Sequence, residues 1–148
     1  MVANKFTQSE EIGRVKFDKW ITDNCDVCSK PTYAKNQYST WDVAFTSGDT
    51  RVVAEIKDRK VSHTEYFTFL GEKVKLDKLQ ALVKEGKTDV VIYFNSFMDD
   101  YVRTWDITDY KPFITYKKPL PATTDGNNRK ILKEVYDLYQ DDSKLFKI

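Results

Sequence analysis

Histidine is almost missing from this chain: His63 stands alone in 148 residues. A metal centre built from several imidazoles is therefore excluded, and a Ser-His or Cys-His pair would have one base and no recognisable nucleophile motif beside it. Cysteine is nearly as scarce. Cys25 and Cys28 form a C-x-x-C spacing, but a closed structural zinc site needs four ligands that the chain does not supply. A thioredoxin-like dithiol opens a helix after a strand, and neither is legible around Cys25, so two free thiols or a locally packed turn are expected. Net charge is lacking too. With 24 Lys and Arg against 23 Asp and Glu the balance is +1, so any contact with nucleic acid must come from locally placed charge. No apolar run is long enough to span a bilayer, and the N-terminal stretch MVANKFTQSEEIGRVKF has no apolar signal-peptide core. A cytoplasmic protein with reduced cysteines is the expectation. Repeats, Gly-rich phosphate loops and low-complexity tracts are also absent.

What is present is apolar and aromatic: 41 % hydrophobic and 14 % aromatic residues, enough for one packed α/β domain over residues 1–148. A chain of this length buries roughly two-thirds of its unfolded surface.

The informative stretch is YSTWDVAFTSGDTRVVAEIKDRKV, residues 38–61. Residues 41–45 and 52–56 alternate around Ser47-Gly48-Asp49-Thr50, which reads as a β-hairpin with Gly48 supplying the positive φ of a two-residue turn. The register follows. With Gly48 and Asp49 in the loop, Ser47 faces Thr50, Phe45 faces Val52, Val43 faces Ala54, and Asp42 faces Glu55. Trp41, Val43, Phe45, Val52, Ala54 and Ile56 form an apolar core face, while Asp42, Glu55 and Lys57 gather on the reverse with Ala44 and Val53. Facing residues have Cβ atoms roughly 4.5–5.5 Å apart, and opposed like charges destabilise the pair unless something positive lies between them. A hard divalent cation and a lysine resolve that conflict. Such an ion is held by a few carboxylate oxygens and waters, and it activates water against a phosphodiester.

These residues resemble the PD-(D/E)xK nuclease superfamily, in which an Asp on one strand and a Glu-x-Lys on the next build the metal site. The match is Asp42 with Glu55-Ile56-Lys57; Trp41 stands where the family name implies Pro. The resemblance implies a restriction-endonuclease-like fold, with Mg²⁺ or Mn²⁺ held by Asp42, Glu55, the Ile56 carbonyl and a Glu of the first helix. That glutamate is Glu11, with Glu10 as the alternative. Lys57 would orient the water or stabilise developing charge. It implies a nuclease of the repair, recombination, restriction or phage type, with DNA as the substrate. The rival reading is an inactive nucleic-acid-binding or scaffold module on the same fold.

The rest of the chain fits that frame. Residues 7–21 carry a helical stripe, Ile12, Val15, Phe17, Trp20 and Ile21, behind a Thr7–Glu10 capping box. Residues 22–37 read as a loop with a weak first strand at 33–37. Residues 61–70 read as irregular or extended, with Lys60 adjoining the site and His63 or Tyr66 as further phosphate contacts. Glu72 to Glu85 is an amphipathic helix through Leu76, Leu79 and Val83, closed by Gly86. By the resemblance, Lys73, Lys75 or Gln80 on it would contact substrate. Thr88–Asn95 reads as a buried strand and Tyr101–Ile107 as a further one, antiparallel and near an edge. The order is then α-β-β-β-α-β plus a C-terminal strand, a central mixed sheet flanked by helices. Residues 111–128 hold three of the four prolines and read as an extended arm, and 129–140, with Ile131, Val135 and Leu138 on one stripe, as a terminal helix. Such an ending docks on its own chain or on a second copy, so a homodimer is one of two expectations.

Overall fold

Helix α1 (Lys5–Asn24) opens the chain and the stripe of Phe17 and Ile21 turns it onto a sheet, as the periodicity requires. The computed structural model describes residues 5–36, 38–111, 115–121 and 130–148. After α1 come β1 (Thr32–Tyr33), β2 (Val43–Ser47), β3 (Thr50–Asp58), β4 (Thr68–Glu72), α2 (Lys73–Lys84), β5 (Val90–Ser96), β6 (Tyr101–Asp106), β7 (Thr115–Pro121), β8 (Lys130–Tyr139), a short 3₁₀ turn, and β9 (Lys144–Lys147). Six strands form one sheet in the order β1-β2-β3-β5-β6-β9, and β4-β8-β7 form a second.

The hairpin has the expected register as far as Val43; the expected Asp42–Glu55 pair lies beyond the ladder, where the Asp42 N–H bonds the Ala54 carbonyl instead. Ser47 faces Thr50, Phe45 faces Val52 and Val43 faces Ala54, around Gly48 at φ 57°. β3 then runs parallel to β5, with Glu55 beside Tyr93 and Lys57 beside Asn95, and β6 returns antiparallel. α2 bridges the sheets, and Gly86 at φ 72° ends it.

Both faces of the larger sheet are covered. On one, Phe17 and Ile21 of α1 meet Val43, Phe45, Val52, Ala54, Phe94 and Val102. On the other, Leu76 and Leu79 of α2, Phe69 of β4 and Leu138 of β8 pack on Val53, Val91, Tyr93 and Trp105. Trp105 fastens the two sheets with its indole N–H, which donates to the Tyr139 carbonyl at 2.9 Å. Each large apolar side chain buried here contributes about 1.5–3 kcal/mol.

The structure corrects several expectations. The terminal helix is a strand: β8 lies between β4 and β7, pairing Phe69 with Leu138 and Glu72 with Val135. Its Ile, Val and Tyr content favours a pleated, half-buried surface, and that outweighs a coincidental helical spacing. Of the supposed arm, residues 115–121 are strand β7; 112–114 and 122–129 lie outside the described residues. The end of the chain docks on its own chain, β8 against β4 and β9 against β6. Helix α1 is already formed at Lys5, so Thr7 lies within it and is not its cap. Trp41 precedes β2, so the strand's alternation does not reach it, and it packs beside Val53 instead of Val43. β6, by contrast, is antiparallel to β5 and near the edge as expected, with β9 alone outside it. Cys25 and Cys28 form a disulfide, Cα–Cα 5.6 Å, in place of the expected free thiols. No helix among the described residues is long and apolar enough to cross a membrane.

Candidate active site

Asp42 lies one residue before β2, where backbone pairing on both sides fixes it: its N–H donates to the Ala54 carbonyl at 2.9 Å and its carbonyl accepts from the Ala34 N–H at 2.8 Å. Its side chain is fixed from β3. Oδ2 accepts the Ile56 N–H at 2.7 Å, which turns the carboxylate toward the strand that carries Glu55.

Glu55 is only 6 % exposed. Burial, first, and the charge of Asp42, second, push its carboxyl up to about 7; the ammonium groups of Lys57 and Lys75 oppose this, while a hydrogen bond to Asp42 adds to it. The two acids therefore compete for positive charge, and burial favours the neutral form of Glu55. Lys57 Nζ stands 3.8 Å from Glu55 Oε1 and Lys75 Nζ 4.0 Å from the same oxygen. The expected trio is thus brought together, with Lys75 as a fourth member.

Around it lies a set of groups that the sequence did not single out. Arg59, on the same side of β3, donates through Nε to Asn95 Oδ1 at 2.7 Å and through Nη2 to the Leu70 carbonyl at 2.6 Å and Tyr93 Oη at 2.9 Å. It ties the end of β3 to β5 and to the strand leading into α2. On the opposite side, Lys16 of α1 reaches Asp58 Oδ1 at 3.2 Å and the Phe97 carbonyl at 2.8 Å. The basic run after Lys57 was the one signal for Arg59. Lys16 had none, because its partners depend on the β3–β5 register.

The remaining candidates scatter. Lys73 is paired with Asp77 and lies over the Tyr136 ring. Gln80 is taken up by structure: its amide donates to the carbonyls of Ile107 and Tyr110, both at 2.8 Å. Lys60 is exposed beyond β3. His63 Nδ1 meets Asp99 Oδ2 at 2.6 Å and its ring stacks on Tyr101 at 4.0 Å, while Tyr66 is exposed. Glu10 and Glu11 are both exposed. A Cβ on Gly13 would come within 2.8 Å of Ile56 Cγ2, so the Gly13 side of α1 faces β3. At roughly 100° per residue, Glu10 lies about 60° from that side and Glu11 about 160°. This placement favours Glu10.

The donor set suits a hard divalent cation. Among the described residues no group of three or more His, Cys, Asp or Glu gathers, so protein ligation would fall to Asp42, Glu55 and the Ile56 carbonyl. Mg²⁺ is commonly held by one or two carboxylates with retained waters, and the burial of Glu55 beside Asp42 supplies the excess negative charge such an ion relieves.

The fold, with its β1-β2-β3-β5-β6 sheet and α1 and α2 on its two faces, is restriction-endonuclease-like, as the motif implied. The chain is similar to Hjc of Archaeoglobus fulgidus, a Holliday junction resolvase from an archaeal hyperthermophile, with a TM-score of 0.52 at 10 % identity over 86 % of this chain and 87 % of that one. No family model matches the sequence, and no curated protein does.

Proposed function

We propose that this chain is a divalent-metal-dependent nuclease that hydrolyses phosphodiester bonds of DNA. The observation that carries the reading is the buried Glu55 carboxyl hydrogen-bonded to the half-buried Asp42 with Lys57 alongside, at the carboxyl end of β3 in a restriction-endonuclease-like fold. The neighbour in fold is by its own title a Holliday junction resolvase, which makes branched DNA a substrate to test beside duplex and single strands.

Asp42, Glu55 and the Ile56 carbonyl would hold Mg²⁺ or Mn²⁺, with Glu10, on the side of α1 closer to β3 than Glu11, as the candidate glutamate of the first helix. The bound ion supplies a nucleophilic water at neutral pH and offsets charge on the phosphodiester. The chain's own residues do the rest. The Ile56 amide keeps Asp42 aimed inward, Lys57 stabilises the charge that develops on the phosphate oxygens, and α2 excludes bulk water from the Glu55 side.

The test is cleavage of single-stranded, duplex and four-way-junction DNA with Mg²⁺ or Mn²⁺, by wild type and by Asp42→Asn and Lys57→Met. Metal-dependent cleavage lost in both variants, at unchanged melting temperature, supports the reading. If wild type leaves all the substrates intact while binding them, the chain is a binding module on this fold and the enzymatic reading falls.

A further inference from the structure

Two ammonium groups converge on one oxygen of Glu55, and neither makes a hydrogen bond to it. Lys57 and Lys75 stand 3.8 and 4.0 Å from Oε1, ion-pair separations well beyond the 2.7–3.2 Å of an N–H···O bond. Lys57 is tied to the site by its place on β3. Lys75 comes from α2, and its Nζ also lies 3.9 Å from Glu72 Oε2. Glu72 is in turn held by Lys133 of β8, Nζ to Oε1 3.3 Å. Lys75 is therefore shared between a carboxylate inside the site and a fixed carboxylate outside it.

We propose that Lys75 is the resident counter-ion of Glu55 in the metal-free protein, and that a divalent cation binding at Glu55 displaces it onto Glu72. This rests on the metal-dependent reading above. A buried carboxylate needs a positive partner, and Lys75 supplies one when no ion is present. An ammonium and a divalent ion repel when both approach Oε1, so one has to leave. Both lysine side chains are 33 % exposed and neither is hydrogen-bonded to Glu55, but Lys75 has Glu72 within the same reach to receive it, so Lys75 is the one to leave. Its departure lowers the affinity for metal, which makes Lys75 a determinant of metal binding and not a bare contact to DNA.

The experiment is Mn²⁺ titration at pH 8.5 without DNA, followed by calorimetry and by the electron paramagnetic resonance signal of free Mn²⁺. Lys75→Gln is expected to bind Mn²⁺ about fivefold tighter than wild type, the size of a unit charge at this distance in a water-like medium. Lys75→Arg keeps the charge and stays near wild type. Lys73→Gln, whose lysine faces Asp77, is unchanged. Glu72→Gln removes the second resting point and should weaken Mn²⁺ binding a few-fold, a test that does not depend on the folding of any Lys75 variant. Equal or weaker Mn²⁺ binding by Lys75→Gln, or no change in Glu72→Gln, overturns the inference while the metal site stands. A wild-type protein that takes up no Mn²⁺ removes both the inference and the reading beneath it.

Discussion

The amide of Ile56 donates to Oδ2 of Asp42 at 2.7 Å, so the residue between Glu55 and Lys57 holds the acid on the neighbouring strand. The Glu-x-Lys segment thereby contributes three things in three consecutive positions: a carboxylate, a backbone clamp on the opposing carboxylate, and an ammonium.

That clamp separates two substitutions at one position. Asp42→Asn keeps an acceptor for the Ile56 N–H and is expected to melt near wild type. Asp42→Ala leaves the amide without its partner, at a cost of about 1–3 kcal/mol. Both should reduce cleavage by about a thousandfold or more. Thermal melting beside a cleavage assay checks this; equal melting temperatures for the two variants would show that the bond contributes nothing to stability.

Stability should depend on pH through Glu55, whose carboxyl is raised in the folded chain from 4.5 to about 7. Between these values the folded chain keeps a proton that the unfolded chain has released. Stability therefore falls as pH rises from about 4.5 to about 7, and the full cost, roughly 3 kcal/mol, is present above that range. Glu55→Gln, which has no charge to bury, should melt roughly 6–12 °C above wild type at pH 8 and close to it at pH 4. A pH-independent difference between the two would contradict the assignment.

Millimolar Mg²⁺ or Mn²⁺ should raise the melting temperature more at pH 8 than at pH 5, because at the lower pH the ion must first displace a proton from Glu55. In Glu55→Gln the increment should shrink at both. Differential scanning calorimetry with and without chelator measures it.

Lys57→Met is expected to lower cleavage by roughly 10²–10³ while Mn²⁺ still binds, since the lysine acts on developing charge and not on the ion. Loss of Mn²⁺ binding in this variant would assign Lys57 to holding the site together instead.

Gly13→Ala brings a methyl within 2.8 Å of Ile56 Cγ2, on a β-branched side chain with little rotamer freedom. Alanine gains about 1 kcal/mol in helix propensity, but the overpacking costs about 1–3 kcal/mol and pushes α1 away from β3 beside the site. The net expectation is a lower melting temperature, read by thermal denaturation, and weaker cleavage.

The hairpin was legible because Gly48 and strict alternation leave one register, which holds from Ser47–Thr50 to Val43–Ala54; beyond it, the Ile56 N–H bond to Asp42 Oδ2 brings that carboxylate to Glu55. The helices were legible where their apolar stripes were, as at Leu76 and Leu79. β8 was not. Ile131, Val135 and Leu138 fit a helix in isolation, and what makes them a strand is β4, a short element whose Gly71 admits Leu76 and Leu138 where a Cβ would lie 2.5 and 3.0 Å from them. Side chains on one helix also diverged in a way that spacing cannot resolve. Lys75 points to Glu55 while Gln80, five residues on, is bound to two carbonyls, and only the packing of α2 against β5 decides which faces the site.

β9 is the outermost strand of the larger sheet, and Phe146 on it meets Trp20 of α1 at 5.6 Å between ring centroids. A truncation at Ser143 would strip β6 of its outer neighbour and bare a row of unpaired peptide groups next to an uncovered indole. Such a rim is a template for intermolecular pairing, so a shortened chain should precipitate or oligomerise even though every group of the metal site is intact.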